Sequence, residues 1–195
     1  MHKAPYIIGV TGGIGSGKSV VARLLRLMDV PVYDCDSEAK RLMCENASIR
    51  ESLIRAVGDG VYDAMGRLNR ACLASYMFGN AERVALINSI VHPVVRDDFR
   101  AWAQRTGKAI VAVESAILFE AGMDADVDAV WLVHASEDMR LQRAIKRDAS
   151  NEKAIRCRMQ SQLNEQEYMQ RADVVLQNDG DHSLISQVRE LLSLR

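Results

Sequence analysis

Eight residues near the start of this chain have the types and spacing to hold a chain of phosphates. They read Gly12-Gly-Ile-Gly-Ser-Gly17-Lys18-Ser19, a Gly-x-x-x-x-Gly-Lys-Ser pattern. Glycines let backbone N–H groups converge on a polyphosphate without Cβ clashes, and a helix opening at the end of the loop adds its partial positive charge. The candidate nucleotide cradle runs through Gly13, Ile14, Gly15, Ser16 and Gly17 to Lys18, Ser19 and Val20. Lys18 is placed to reach the β- and γ-phosphates, and the Ser19 hydroxyl to ligate Mg²⁺. The chemistry these residues suit is that of a nucleoside triphosphate such as ATP.

Four further groups could act with that loop. Asp34 and Asp36 follow a short apolar run, and at a strand's C-terminal end they would share the loop's side of a parallel sheet. The plainer reading is that one of them caps a helix starting near Ser37. Arg140, Arg143 and Arg147 are spaced to share one helix face. Such a face is commonly just solvated, but beside a phosphate loop it can close over ATP and stabilise charge on the transferred group. Glu114 and Glu120 suit either contacts to Mg²⁺-bound water or substrate, or the charges of a helix start. His92, before Pro93, is a turn or core histidine or a functional one.

The elements that must carry these residues are readable from hydrophobic spacing. Tyr6–Thr11 is a short apolar strand, and Val21, Leu24, Leu25 and Met28 repeat at helical spacing after the loop. Val30–Tyr33, Lys108–Val113, Asp128–Val133 and Asp173–Leu176 predict four more strands. Residues 37–106 read as helical, with a helix ending at Gly58, others over Ala71–Phe78 and Glu82–Val91, a stop at His92-Pro93, and a restart over Val94–Arg105. Ser136-Glu-Asp is a helix start, and Leu184, Ile185, Val188, Leu191 and Leu192 make a closing amphipathic helix. Strands alternating with helices predict an α/β fold of three layers around a five-stranded parallel sheet. The helical block is too long for a plain crossover and suggests an inserted substrate-binding lobe. Residues 149–170 are weakly patterned, as a moving segment would be.

Composition sets the outer bounds. The chain has 195 residues, 48% of them hydrophobic, which suits one globular domain with insertions. A net charge of −1 argues against a broad grip on nucleic acid. Cys35, Cys44, Cys72 and Cys157 form no Cys-x-x-Cys pair, so reduced thiols are expected and a zinc site is not. Met1-His-Lys-Ala-Pro leads straight into the first strand, leaving no room for a signal peptide, and no apolar run approaches a membrane span. The expectation is a cytoplasmic protein without membrane or nucleic-acid partners, monomeric or weakly self-associating.

A GTPase switch would need a guanine-reading Asn-Lys-x-Asp after a late strand, and the sequence has none. Asp63-Ala-Met-Gly66 matches a switch Asp-x-x-Gly only superficially, since it follows a glycine-broken loop. A small-molecule kinase remains, and the chain resembles the dephospho-coenzyme A kinases over essentially its whole length. The resemblance rests on Thr11-Gly-Gly-Ile-Gly-Ser-Gly-Lys-Ser19, Asp34-Cys-Asp36, Gly66-Arg-Leu-Asn-Arg70, Ile90-Val-His92-Pro93 and Ile117-Leu-Phe-Glu120. It continues through Arg143-x-x-x-Arg147-Asp148, Arg158 to Gln162, Ala172-Asp173 and Asn178-Asp-Gly180. Ala116, Glu114 and Arg140 depart from that family's usual proline, aspartate and glutamine.

The resemblance implies a P-loop kinase of three parts: a core at 5–36, 107–139 and 171–195, a CoA-binding helical lobe near 37–106, and a lid near 140–170. It implies transfer of a phosphoryl group from ATP, with Mg²⁺, to the ribose 3′-hydroxyl of dephospho-CoA; a nucleoside- or nucleotide-type acceptor is the alternative. Catalysis would fall to Lys18, Asp36, Asp34 and Arg143, with Asp36 accepting the proton. Arg143, Arg147 and Asn178 would join the loop in holding ATP, and Asp36, Arg70, His92, Arg96 and Glu120 would contact the acceptor.

Overall fold

The computed structural model describes residues 4–148, 152–160, 162 and 165–194, and of Asp148, Ala154, Arg158 and Glu165 the backbone alone. In chain order the elements are β1 (Tyr6–Thr11), α1 (Lys18–Leu27), β2 (Val32–Asp34), α2 (Cys35–Glu45), α3 (Ala47–Val57), α4 (Arg70–Met77) and α5 (Ala81–Arg105). There follow β3 (Ile110–Glu114), β4 (Ala129–His134), α6 (Glu137–Asp148), α7 (Glu152–Gln160), α8 (Glu165–Arg171), β5 (Val174–Gln177) and α9 (Leu184–Ser193). The chain divides into two compact units, Met1–Asp34 with Ala103–Arg195, and Cys35–Trp102.

The first unit holds a five-stranded sheet in the order β2-β3-β1-β4-β5, every neighbouring pair parallel. Successive buried residues, Val111-Ala112-Val113 in β3 and Ala129 through Val133 in β4, face opposite sides of the sheet, so both faces are covered. This is the expected layered α/β arrangement. On one side Val21 and Leu25 of α1 and Val188 of α9 pack with Ile8, Val10, Trp131, Val133 and Leu176, while Leu24 and Met28 pad the edge. Apolar burial of this kind contributes about 25 cal/mol per Å². β1 is flanked by β3 on one side and β4 on the other, the kind of position where ligand crevices open beyond the strand ends.

β2, β3, β4 and β5 each end one residue beyond the expected apolar run. The extra residues are polar but paired, Asp34 with Glu114 and His134 with Gln177, so the ladder continues where hydrophobicity stops. Asp173, just before β5, accepts a hydrogen bond from the Val130 N–H at 2.7 Å and ties that strand's start to β4.

The second unit is helical, with Ile49, Leu53, Val61 and Phe99 fully buried. Asn46 caps α3 by accepting from the Ile49 N–H at 3.0 Å, and Asn69 caps α4 by accepting from Cys72 at 3.1 Å. Gly58 ends α3 with a φ of 105°, and a short 3₁₀ turn at Asp59–Val61 follows. Two expectations are corrected. The helix placed near Ser37 begins at Cys35, directly after β2 with no intervening loop. The break placed at His92-Pro93 does not occur, since α5 runs unbroken from Ala81 to Arg105 with Pro93 inside. Ile87, Val91, Val95 and Phe99 form one buried row at four-residue spacing, and that burial outweighs the bond to the Ser89 carbonyl that a proline cannot donate. No described helix is long and apolar enough to cross a membrane.

Candidate active site

The phosphate loop leaves β1 at the fully buried Thr11 and enters α1 at Lys18. Its shape is set from within by the Ser16 N–H donating to the Gly13 carbonyl at 3.1 Å. Gly15 has a φ of 79°, and a side chain there would run into the Arg140 carbonyl. Gly17, at the head of α1 with a φ of 104°, leaves no room for a Cβ beside the Asn178 amide. Only glycine fits both positions, on backbone and on space.

Two distant elements brace this loop. The Asn178 Nδ2 donates to the Ser16 carbonyl at 2.7 Å, and the Asn178 N–H donates to the His134 carbonyl at 2.8 Å, fixing the residue beyond β5. Asn178, expected as a nucleotide contact, also acts as a strut of the loop. The start of α6 is the other brace. Ser136 caps it by accepting from the Met139 N–H at 3.4 Å, and the Arg140 guanidinium lies against Gly13. Lys18 turns its Nζ into its own loop, donating to the Gly12 carbonyl at 2.7 Å and to Gly13 at 3.2 Å.

Along α6, Arg140 and Arg143 are half-buried and Arg147 is exposed in the last turn. The Nη1 of Arg143 is closed off from solvent with no hydrogen-bond acceptor among the described residues. A shielded donor on a cation calls for an anion. Within the expected lid, residues 140–170, Leu141, Ala144 and Ile155 form a small core against which Ile14, Ile145 and Met159 lie. Residues 149–151, 161, 163 and 164 of that stretch fall outside the described residues.

The carboxylates divide by element. Asp34 closes β2 in register with Glu114, which closes β3, and Glu114 pairs in turn with Val10, one residue before Thr11 at the end of β1. One end of three adjacent strands thus carries Asp34, Glu114 and the phosphate loop. Asp36 stands exposed in the first turn of α2, within the helical unit. Arg70 opens α4, and His92 and Arg96 lie half-buried on α5 in the same unit. Burial pulls the His92 pKa below its ordinary value.

Neither Glu114 nor Glu120 starts an α-helix, because a run of turns links β3 to a 3₁₀ turn at Met123–Asp126. The Tyr168 hydroxyl shares its one proton between Glu120 Oε1 at 3.2 Å and the Ala116 carbonyl at 3.1 Å. Burial, reinforced by the Glu120 charge, pushes the Tyr168 pKa up, so the phenol stays protonated and donating. Gln162 bridges the same region: its Oε1 accepts from the Ile14 N–H at 2.9 Å and its Nε2 donates to Ala116 at 3.3 Å. Gly13, His134, Arg140, Met159, Gln162 and Tyr168 help to line a cavity of about 300 Å³ beside the loop. Tyr168 carries no signal of this role in the sequence, since its partners lie 48 and 52 residues away.

A family model described as dephospho-CoA kinase matches residues 6–183. A dephospho-CoA kinase of Bacteroides fragilis is 41% identical over 187 residues, which is 95% of this chain and 91% of that protein. One from Salinibacter ruber is 45% identical over 176 residues, covering 89% of this chain and 88% of its own. The crystal structure of TT1252 from Thermus thermophilus superposes with a TM-score of 0.87 at 35% identity, over 98% of both chains. Matches that span nearly the whole chain, over a braced glycine loop at the end of β1, place it plainly: the chain belongs to the dephospho-CoA kinase family.

Proposed function

We propose that this chain transfers the γ-phosphoryl group of ATP to the ribose 3′-hydroxyl of dephospho-CoA, giving coenzyme A and ADP. The observation that carries the choice of acceptor is the carboxylate at the end of β2, on the strand ends that also carry the phosphate loop. Carboxylates repel an acceptor phosphate but suit a neutral hydroxyl that must lose a proton. The bond from the γ-phosphorus to the β,γ-bridging oxygen breaks, a bond to the 3′-oxygen forms, and Asp36 takes the hydroxyl proton. Asp34 orients the site, and Glu114, its partner in register, joins it there. Lys18 swings from the Gly12 and Gly13 carbonyls to the β- and γ-phosphates, while Arg143 and Arg147 meet the charge of the transferring group. Positioning and charge neutralisation dominate such a reaction, and proton removal adds the smaller share, about 10²-fold.

Among the described residues no three His, Cys, Asp or Glu side chains are grouped to cage a metal ion. Ser19, in the first turn of α1 directly after the loop, is the residue whose hydroxyl would hold Mg²⁺ arriving on the phosphates, where it would neutralise phosphate charge. In the helical unit, Arg70, His92 and Arg96 are the residues we assign to the acceptor, with Glu120 a further contact from the turn after β3.

The test is product analysis by phosphorus NMR with ATP, Mg²⁺ and either dephospho-CoA or AMP. A new 3′-phosphomonoester on dephospho-CoA is expected, with weak 3′-phosphorylation of AMP and no ADP made from AMP. A folded protein inert toward dephospho-CoA, or one that builds a diphosphate on AMP, overturns the reading.

A further inference from the structure

Arg50, half-buried on α3, is bonded to two stretches of the helical unit at once. Its Nη1 donates to the Gly66 carbonyl at 2.6 Å and to the Cys44 carbonyl in the last turn of α2 at 3.1 Å. Its guanidinium lies over the Tyr62 ring, 4.1 Å from the centroid, close enough for a cation to be attracted to the aromatic face. The ring is held in turn, since the Tyr62 hydroxyl donates to the Met43 carbonyl at 2.6 Å. One side chain of α3 thus joins α2 to two points of the turn that spans residues 61–69.

That turn closes on itself and ends in the cap of α4. Tyr62 and Leu68 form an antiparallel bridge, the Asp63 N–H donates to the Arg67 carbonyl at 2.9 Å, and the Asn69 N–H donates to the Val61 carbonyl at 2.8 Å. Inside it, Asp63 Oδ1 accepts from the Met65 and Arg67 N–H groups, both at 2.9 Å. Asn69 belongs to turn and helix alike: its Nδ2 donates to the Gly60 carbonyl at 3.2 Å while its Oδ1 caps α4. Arg70 is the next residue, so fixing the turn fixes the start of α4 with it. We propose that Arg50 is a positioning residue of the acceptor site: it locks the 61–69 turn against α2 and α3, and so sets where α4 presents Arg70. This inference rests on Arg70 being a contact of dephospho-CoA.

The task suits arginine. One guanidinium nitrogen carries a hydrogen for each carbonyl, the bonds are charge-assisted, and the flat group stacks on Tyr62 as an ammonium cannot. Burial pushes the Tyr62 pKa up against the opposing pull of the Arg50 charge, so the phenol stays protonated and keeps its bond to Met43.

The experiment is steady-state kinetics of the full chain, with each substrate varied in turn, on Arg50→Lys, Arg70→Ala and the double variant. Arg50→Lys keeps the charge but loses the fork, and should raise KM for dephospho-CoA about two- to ten-fold with KM for ATP unchanged. In the Arg70→Ala background the same change should add nothing, because the two residues act as one unit. An unchanged KM for dephospho-CoA in Arg50→Lys overturns the proposal. So does an equal rise for both substrates, which marks a general loosening of the fold, or a rise that persists undiminished without Arg70. If Arg50→Lys is unfolded, Arg50→Gln, whose planar amide still donates to one carbonyl, takes its place and must meet the same result. An Arg70→Ala variant with wild-type KM for dephospho-CoA sinks the Arg70 assignment and this inference together, whereas a damaged Arg70→Ala beside a silent Arg50→Lys sinks this inference alone.

Discussion

Asp34 is the last rung of a strand ladder, whereas Asp36 stands two residues on in the open first turn of a helix. The first is fixed by pairing beside Glu114; the second is free to meet a proton in solvent-accessible space. Asp36→Asn should therefore lower kcat about 10²-fold or more, as expected for loss of a proton acceptor, with little change in KM for ATP. Asp34→Asn should cost less. Steady-state kinetics on the two variants check the order, and the reverse ranking would exchange their roles. Lys18 and Ser19 were legible because a phosphate loop is a local pattern, complete within eight residues. Tyr168 was not, because a hydrogen bond to a residue dozens of positions away leaves no period or spacing in the sequence, and Gln162 was readable only through the resemblance.

At the scale of elements, α5 is where local rules and packing part company. Proline and its predecessor disfavour helix, and the sequence accordingly predicts a stop there. The buried row from Ile87 to Phe99 overrides it, and with it changes the setting of His92 from a turn to a half-buried helix face. Burial disfavours the imidazolium, so the folded-state pKa lies below the ordinary 6.5. The unfolded chain then binds more protons than the native one in the window below 6.5, and stability must fall as pH drops through it. Above that value the native protein keeps its full stability with respect to this group. Denaturant titrations at pH values above and below 6.5 should show the loss, and His92→Gln should flatten that part of the profile. A variant as acid-sensitive as wild type would place the sensitivity elsewhere. Strand ends were misjudged for a related reason: Asp34, Glu114, His134 and Gln177 pair through backbone groups that hydrophobicity does not register.

For the whole molecule, alternation of apolar runs with helical spacing was enough to read a parallel α/β sheet, since few connections join parallel strands. The order β2-β3-β1-β4-β5 was not readable, because strand neighbours are chosen by contacts across the chain. The bond from Asn178 to Ser16 belongs to this scale, with 162 residues between its ends. Asn178→Ala should leave the fold intact but slacken the loop, raising KM for ATP about two- to ten-fold, the worth of one net hydrogen bond. An unchanged KM for ATP would show that the loop holds its shape without this strut. The same bond sets a schedule. The phosphate loop is made 162 residues before Asn178, the brace that lies beyond β5. Between those two points the growing chain carries the glycines and Lys18 without the strut that aims them, and only the arrival of Asn178 closes that part of the frame.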